Sequence, residues 1–246
     1  RSAQNPMKAV ILSAGQGSRL LPLTEDRPKC LLDIGGETLL GRQLQALKTG
    51  GVTEVVIVTG FRTAAVEAAA AAADAPGFRV RTLFNPFYNV ADNLASCWMA
   101  RADMTGPFLL LNGDTLFEVD ILARLLAAPP APITLTIDKK SEYDSDDMKV
   151  KLDGERLLDV GKTLEPADTD GESIGFSRFS AEGAAAFVET LEQTMRTPNG
   201  LSWWYLRAIA ALAGRGLVQT CSIEGLKWGE VDFPQDLETA AALFGA

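Results

Sequence analysis

The chain has 246 residues, 47% of them hydrophobic, and a formal net charge of −9. These values predict a folded core, and they argue against disorder and against nucleic acid or an anionic membrane as a partner, because such partners bind basic surfaces. The sequence contains no histidine, which excludes an imidazole general base, a Ser-His-Asp triad and histidine-ligated metals.

Signals for export or membrane insertion are not visible in the sequence. No apolar run approaches the length of a membrane span. Cys30, Cys97 and Cys221 are too few and too far apart to predict disulfides or a zinc site. We therefore expect a cytoplasmic protein, with a homodimer left open as its assembly. Residues 1–6 precede Met7, and we expect them to be an expression remnant outside the folded domain.

Residues 7–132 alternate apolar strands with helical segments, a pattern typical of a parallel sheet with helices on both faces. Strands are predicted at 9–12, 54–59, 78–84 and 107–111, and helices at 39–47, 63–73, 93–102 and 120–127. We therefore predict an α/β fold with a mostly parallel, Rossmann-like sheet.

Residues 133–246 have a different pattern, with a hairpin predicted over 148–162 around a turn at Asp153-Gly154. The other strands are predicted at 133–137, 173–179, 217–222 and 228–231, and helices at 181–194, 202–213 and 234–243. No linker or repeat separates the two halves, so we predict one domain over residues 7–246.

A loop of small residues follows the first predicted strand. The strand ends at Leu12 and is followed by Ser13, and the loop then comprises Ala14, Gly15, Gln16, Gly17 and Ser18. Glycines let the backbone approach a ligand, and successive N–H groups can form an anion-binding concavity. Arg19 and Lys29 add two cations, so the stretch predicts a phosphate site. It matches neither the P-loop nor the dinucleotide pattern, because Leu20 stands where the third glycine would be.

Carboxylates follow two later strands. Asp114 comes after the strand at 107–111, and ligands bind beyond the carboxyl ends of parallel strands, so we expect it beside the loop. Glu230 and Asp232 are two residues apart in a short strand and should share a face, with Val231 and Phe233 turned into the core. An Asp turn and a solvated surface pair are the alternatives.

The loop and its continuation resemble the signature of the sugar-phosphate and alcohol-phosphate nucleotidyltransferases. The matching positions are Leu12, Ala14, Gly15, Gly17, Arg19, Leu20, Pro22, Thr24, Pro28 and Lys29. The resemblance implies a GT-A-like nucleotidyltransferase fold with a small acceptor-side hairpin region. It implies that residues 12–18 and Gly113 bind a nucleotide, that Arg19 and Lys29 are catalytic, and that Asp114 with Asp232 holds Mg²⁺.

Later segments resemble the choline-phosphate cytidylyltransferase branch of that family. Residues 228–232 are similar to the Trp-x-Glu-Ile-Asp segment that closes this branch. Residues 85–96 are similar to the segment that lies near the base and ribose, and this similarity implies nucleotide contacts from Asn93 and Ser96. Its acceptor-side segments resemble 146–150, 161–162 and 171–176, which implies substrate contacts from Lys149 and Lys162. Residues 7–132 would then be the nucleotide-binding half and residues 133–246 the acceptor-binding half.

The resemblance implies transfer of CMP from CTP to a small phosphate or phosphonate, with release of pyrophosphate. Trp203-Trp204-Tyr205 could offer a ring face to a cationic amine, with Trp203 and Tyr205 the preferred candidates, and Glu230 could reach the same cation. Helix core remains the alternative for these aromatics. Phosphocholine, phosphoethanolamine and 2-aminoethylphosphonate all remain open as acceptors.

Two other functions are consistent with the same motifs. A hexose-1-phosphate nucleotidyltransferase would share the core and make an NDP-sugar, but a sugar needs many hydroxyl partners. A non-catalytic nucleotide-binding regulator is disfavoured by the presence of Lys29, Asp114 and Asp232.

Overall fold

The computed structural model describes residues 7–245, which form eleven β-strands and seven α-helices. The expected remnant at residues 1–6 lies outside the described residues. The predicted strand at 54–59 and the predicted helix at 63–73 are found with the same bounds.

Nine strands form one central sheet. They are β1 (Lys8–Ser13), β2 (Glu54–Thr59), β3 (Arg79–Phe84), β4 (Phe108–Asn112), β6 (Ile133–Asp138), β7 (Lys149–Asp153), β8 (Arg156–Gly161), β9 (Gly171–Phe179) and β10 (Val218–Ser222). Their order is β3-β2-β1-β4-β9-β6-β10-β8-β7. A second sheet pairs β5 (Thr115–Phe117) with β11 (Trp228–Glu230). Both halves of the chain contribute to both sheets.

The α/β class and the mostly parallel sheet are confirmed, since only β8 and β9 run against the direction of the other strands of the central sheet. Strands β3, β2, β1 and β4 pair in parallel, as expected of the first half, and β6 pairs in parallel with β10. Strand β9 instead runs antiparallel to β4 and β6, and β7 and β8 form an antiparallel hairpin. The turn at Asp153-Gly154 is too short for the crossover that a parallel pair requires.

Helices cover both faces of the central sheet, and the last of the seven packs instead against the two-stranded sheet. Their bounds are α1 (Leu39–Thr49), α2 (Thr63–Ala73), α3 (Asn93–Met99), α4 (Val119–Ala127), α5 (Ala181–Met195), α6 (Tyr205–Gly214) and α7 (Pro234–Phe244). Strand β1 contributes Val10 to a core with α3, α5 and α6, and it contributes Ala9 and Ile11 to a core with α1, α2 and α4. This apolar sequence on both faces is typical of a central parallel strand. Within residues 7–245, no helix has both the length and the apolar character needed to cross a membrane.

Candidate active site

The small-residue loop lies at the carboxyl end of β1, as the sequence predicts. Gly17 has a φ of +78°, and a Cβ there would lie 2.9 Å from the Cβ of Lys29. The hydroxyl of Thr24 donates to the carbonyl of Gly17 at 2.8 Å, and Gln16 donates to the carbonyl of Thr24 at 3.2 Å. Glycine is therefore needed at this position because the stem of Lys29 packs directly against the loop.

Two adjoining clefts, of about 560 and 190 Å³, open beside this loop. Both are lined by Leu12, Gly15, Gly17 and Lys29. Every residue predicted to bind nucleotide lines one cleft or both: Leu12, Ser13, Ala14, Gly15, Gln16, Gly17, Ser18, Asn93, Ser96 and Gly113. The fold thus brings the predicted set together, and its role in binding stays a prediction.

Asp114 reaches the loop because β4 lies next to β1. Leu12 is in register with Asn112, and the N–H of Gly113 donates to the carbonyl of Leu12 at 2.9 Å. A Cβ on Gly113 would lie only 2.3 Å from that carbonyl oxygen, so the close approach of the two strands requires glycine. The turn therefore places Asp114 in the wall of the smaller cleft.

Asp232 reaches Asp114 through the two-stranded sheet. Glu230 of β11 is in antiparallel register with Thr115 of β5, and the N–H of Val231 donates to the carbonyl of Asp114 at 3.2 Å. Val231 is fully buried, as predicted. The chain then carries the Asp232 carboxylate to the edge of the larger cleft.

Lys29 joins the two aspartates. Its ammonium donates to Asp114 Oδ2 at 2.8 Å and to Asp232 Oδ1 at 2.6 Å. Burial opposes the charge on Lys29, but the attraction of the two carboxylates outweighs it and raises the pKa of Lys29 to about 12. The ammonium is therefore charged at neutral pH and neutralises this acidic pair.

The same two carboxylates fit a divalent cation. One ammonium contacts both, so a single ion can do the same, and Asp114 Oδ1 is buried with no hydrogen-bond partner among the residues that the structure describes. Residues 7–245 hold no cluster of three or more potential protein ligands. Magnesium is commonly bound by one or two carboxylates that leave further positions to water and substrate phosphates, so a two-carboxylate site suits it.

Arg19 lies at the open edge of the larger cleft. Its Nη1 is 3.6 Å from Asp146 Oδ2 and 3.9 Å from Asp232 Oδ2. Its guanidinium carbon lies 5.3 Å from the ring centroid of Phe233. Phe233 is half-buried beneath Arg19, which corrects the prediction that this ring is turned into the core. The guanidinium of Arg19 is therefore placed at the edge of the cleft, where it can contact a bound phosphate.

Glu230 faces the aspartate pair from β11. Its side chain is exposed and lines neither cleft, yet reduced solvation and then the Asp114 and Asp232 carboxylates raise its pKa well above the usual range. Like charges placed close together disfavour ionisation. The position is consistent with the predicted role of Glu230 near a ligand cation.

The structure corrects the choice of aromatic residue on the acceptor side. Tyr205 is buried, and its hydroxyl donates to Asn112 Oδ1 at 2.9 Å, so it offers no ring face to a ligand. Trp203 packs against the core with the Arg207 guanidinium 5.3 Å from its ring centroid, and it lines neither cleft. Trp204 lines the larger cleft instead and is 39% exposed.

The two predicted acceptor lysines have different environments. Lys149 is buried, lines neither cleft and donates to the carbonyl of Lys162 at 2.7 Å, so it holds the end of the hairpin rather than contacting a ligand. The ammonium of Lys162 is 3.2 Å from Asp146 Oδ1 and lies 4.8 Å from the ring centroid of Trp204. Of the pair, only Lys162 lies beside the larger cleft.

Sequence reasoning missed Gln43 and ranked Trp204 too low. Gln43 is buried on α1, and its carboxamide donates to the carbonyls of Asn112 and Thr115, on either side of Asp114, at 2.9 and 2.8 Å. No local pattern identifies such a long-range contact. For the aromatics a signal existed: Tyr205, Ile209 and Leu212 are spaced at helical intervals and predict one buried face, which leaves Trp204 at the helix start.

Comparison with known proteins identifies the family and the fold. The family model of the MobA-like NTP transferase domain matches residues 9–220. A CMP-5'-(3-aminopropyl)phosphonate synthase of Streptomyces rubellomurinus is 31% identical over 96% of this chain, which spans only 38% of that protein. A CTP:phosphoglutamine cytidylyltransferase of Campylobacter jejuni is 24% identical over 94% of this chain and 98% of its own length. The solved structure of the CTP:phosphocholine cytidylyltransferase of Streptococcus pneumoniae shares the fold, with a TM-score of 0.78 at 20% identity, over 97% of this chain and 99% of that one.

Proposed function

This chain belongs to the MobA-like NTP transferase family, and from that premise we propose that it transfers CMP from CTP to a small phosphate or phosphonate that carries a cationic amine. The observation that carries the proposal is the Asp114–Lys29–Asp232 cluster beside the small-residue loop. The two relatives named above, which act on an aminophosphonate and on phosphoglutamine, support the choice of nucleotide and acceptor class.

The reaction forms a bond between an acceptor oxygen and the α-phosphorus of CTP, and it breaks the bond to the leaving pyrophosphate. A phosphate or phosphonate oxygen is already anionic at neutral pH, so the chain needs no general base. A reaction that needs no general base suits a protein without histidine. Catalysis then rests on orienting the reactants and on neutralising charge.

The residues of the clefts have separate tasks in this proposal. The backbone of the loop and Arg19 hold the β- and γ-phosphates, and the ammonium of Lys29 offsets charge that develops at the α-phosphorus. Asp114 and Asp232 are the residues that would hold Mg²⁺, which when bound supplies charge neutralisation between acceptor and nucleotide. Gly113 and Gly17 keep the backbone close enough for these groups to converge.

The acceptor amine is assigned to the side of the larger cleft that holds Trp204, whose ring is exposed there. Glu230 lines neither cleft, but it lies close enough to Asp114 and Asp232 to interact with their charges. A cation on an aromatic face is stabilised by roughly 0.5–2 kcal/mol, depending on desolvation. This pairing favours an amine over the hydroxyl-rich sugar that the rival hexose-1-phosphate activity requires.

Release of pyrophosphate tests the proposal directly. The assay combines each of CTP, UTP, ATP and GTP with phosphocholine, phosphoethanolamine, 2-aminoethylphosphonate, 3-aminopropylphosphonate, glucose 1-phosphate or glycerol 3-phosphate. We expect the highest kcat/KM with CTP and an amine-bearing acceptor. Preference for UTP with glucose 1-phosphate would favour the sugar activity. Nucleotide binding without turnover on any acceptor would favour a non-catalytic regulator.

A further inference from the structure

Lys29 lies where the two carboxylates of the proposed metal site meet. Its ammonium is 2.8 Å from Asp114 and 2.6 Å from Asp232, which leaves no room for a second cation between those two oxygens. We propose that Lys29 is a built-in counter-ion that occupies the metal site until nucleotide phosphates draw it away. This inference rests on the proposed function, because it concerns the metal and nucleotide of that reaction.

The acidic pair needs a cation whether or not a nucleotide is present. Asp114 and Asp232 share the Lys29 ammonium as a partner. Carboxylates brought together in a poorly solvated cleft repel each other, and one of them would take up a proton if no cation were near. Only 15% of the Lys29 side chain is exposed, so its charge is held at the pair rather than dispersed in solvent.

Lys29 is also placed to serve the phosphates. Its stem packs against Gly17, and the residue lines both the larger cleft, with the loop, and the smaller cleft, with Asp114. An ammonium at this junction can exchange a carboxylate partner for a phosphate partner without leaving the site. The cation lost from the aspartates would then be replaced by a divalent ion that enters with the nucleotide.

Metal and nucleotide binding should therefore be coupled. A divalent ion alone must displace the ammonium from both of its carboxylate partners, whereas a bound nucleotide supplies phosphates in their place. Because each ligand then favours the other, the coupling is reciprocal. A metal that binds away from the Asp114–Asp232 pair predicts no gain in affinity when Lys29 is neutralised, which separates the two interpretations.

The test measures Mn²⁺ binding to the nucleotide-free protein by the loss of the free-ion signal in electron paramagnetic resonance. We expect weak binding by the wild type and binding at least about tenfold tighter by Lys29→Met, which keeps an apolar stem of similar length without the charge. The double variant Lys29→Met/Asp114→Asn should lose that gain. Lys151→Met is the matched control, because it removes a cation that is 2.7 Å from Asp168 rather than at the aspartate pair, and it should bind as the wild type does.

Three results would overturn the inference. They are equal Mn²⁺ affinity in the wild type and Lys29→Met, an equal gain in Lys151→Met, and Mn²⁺ binding by the nucleotide-free wild type as tight as expected of the variant. Thermal unfolding shows whether the variant folds. If it does not fold, tight Mn²⁺ binding by the nucleotide-free wild type would by itself overturn the inference. Neither CTP nor an acceptor enters the assay, so failure here is distinguishable from failure of the proposed activity.

Discussion

The ammonium of Lys162 lies 4.8 Å from the centroid of the Trp204 ring. The same ammonium donates to Asp146 Oδ1 at 3.2 Å. A protein cation thus already rests on the exposed ring that borders the larger cleft. The arrangement shows that this ring face can accept a cation, and it directs the first prediction to Trp204.

Trp204→Leu should lower kcat/KM for amine-bearing acceptors by roughly 2- to 30-fold, because it removes the ring and keeps apolar bulk. Trp204→Phe is the matched control and should lose less, since it retains an aromatic face. Steady-state kinetics with an amine acceptor and with glycerol 3-phosphate give the comparison. An equal loss on both acceptors would remove Trp204 from amine recognition.

Asp114→Asn and Asp232→Asn should each lower kcat by several orders of magnitude and leave the fold intact, because each removes a charge that the proposed metal requires. Turnover in saturating Mg²⁺ and thermal unfolding together measure the effect. Asp120→Asn, an exposed carboxylate of α4, serves as the control and should behave as the wild type does. Near-normal turnover by either folded site variant would contradict the assignment.

Gln43→Leu should raise the Mg²⁺ concentration needed for half-maximal turnover and lower kcat. It removes the two hydrogen bonds that hold the carbonyls of Asn112 and Thr115 around Asp114. Each buried carbonyl left without a donor costs about 1–3 kcal/mol, so some loss of stability is also expected. Gln45→Leu, exposed on the same helix with one bond to Thr49, is the control. Unchanged metal dependence in Gln43→Leu would show that the turn holds its position without Gln43.

Glu172 should make the folded protein less stable as the pH rises. The residue is buried beside Lys140 and Asp147, and burial outweighs the attraction of Lys140 to raise the pKa of Glu172 from 4.5 to about 7. Between those values the folded chain keeps a proton that the unfolded chain has released, so the free energy of unfolding falls as pH rises from 4.5 to 7.

Glu172→Gln should therefore show a smaller fall in Tm between pH 5 and pH 8 than the wild type does. Glu230 also has a raised pKa and contributes to the fall in Tm in the same direction. Because both proteins contain Glu230, its contribution cancels when their Tm values are compared. Glu165→Gln, at an exposed position, is the control. Parallel Tm curves for the wild type and Glu172→Gln would count against the assignment.

Local patterns allowed most elements and the phosphate loop to be predicted. The β-branched run Glu54–Thr59 and the alanine-rich run Thr63–Ala73 specify their own conformations, so their bounds agree with the structure. The loop after β1 is contiguous in sequence, so its residues had to lie together. Strand β5 was not predicted, because its three residues, Thr115–Phe117, are too few to show a hydrophobic periodicity.

Apart from β5, the sequence by itself determined the succession of strands and helices along the chain, the phosphate loop, and the types of residue that meet at that loop. These features depend on neighbours along the chain. Only the tertiary structure decided that β5 pairs with β11, that Lys29 lies between Asp114 and Asp232, and that Trp204 rather than Tyr205 faces the cleft. These contacts join segments far apart in the chain. Their geometry is set by strand register and by which side of α6 packs on the core, and no local stretch of sequence encodes either one.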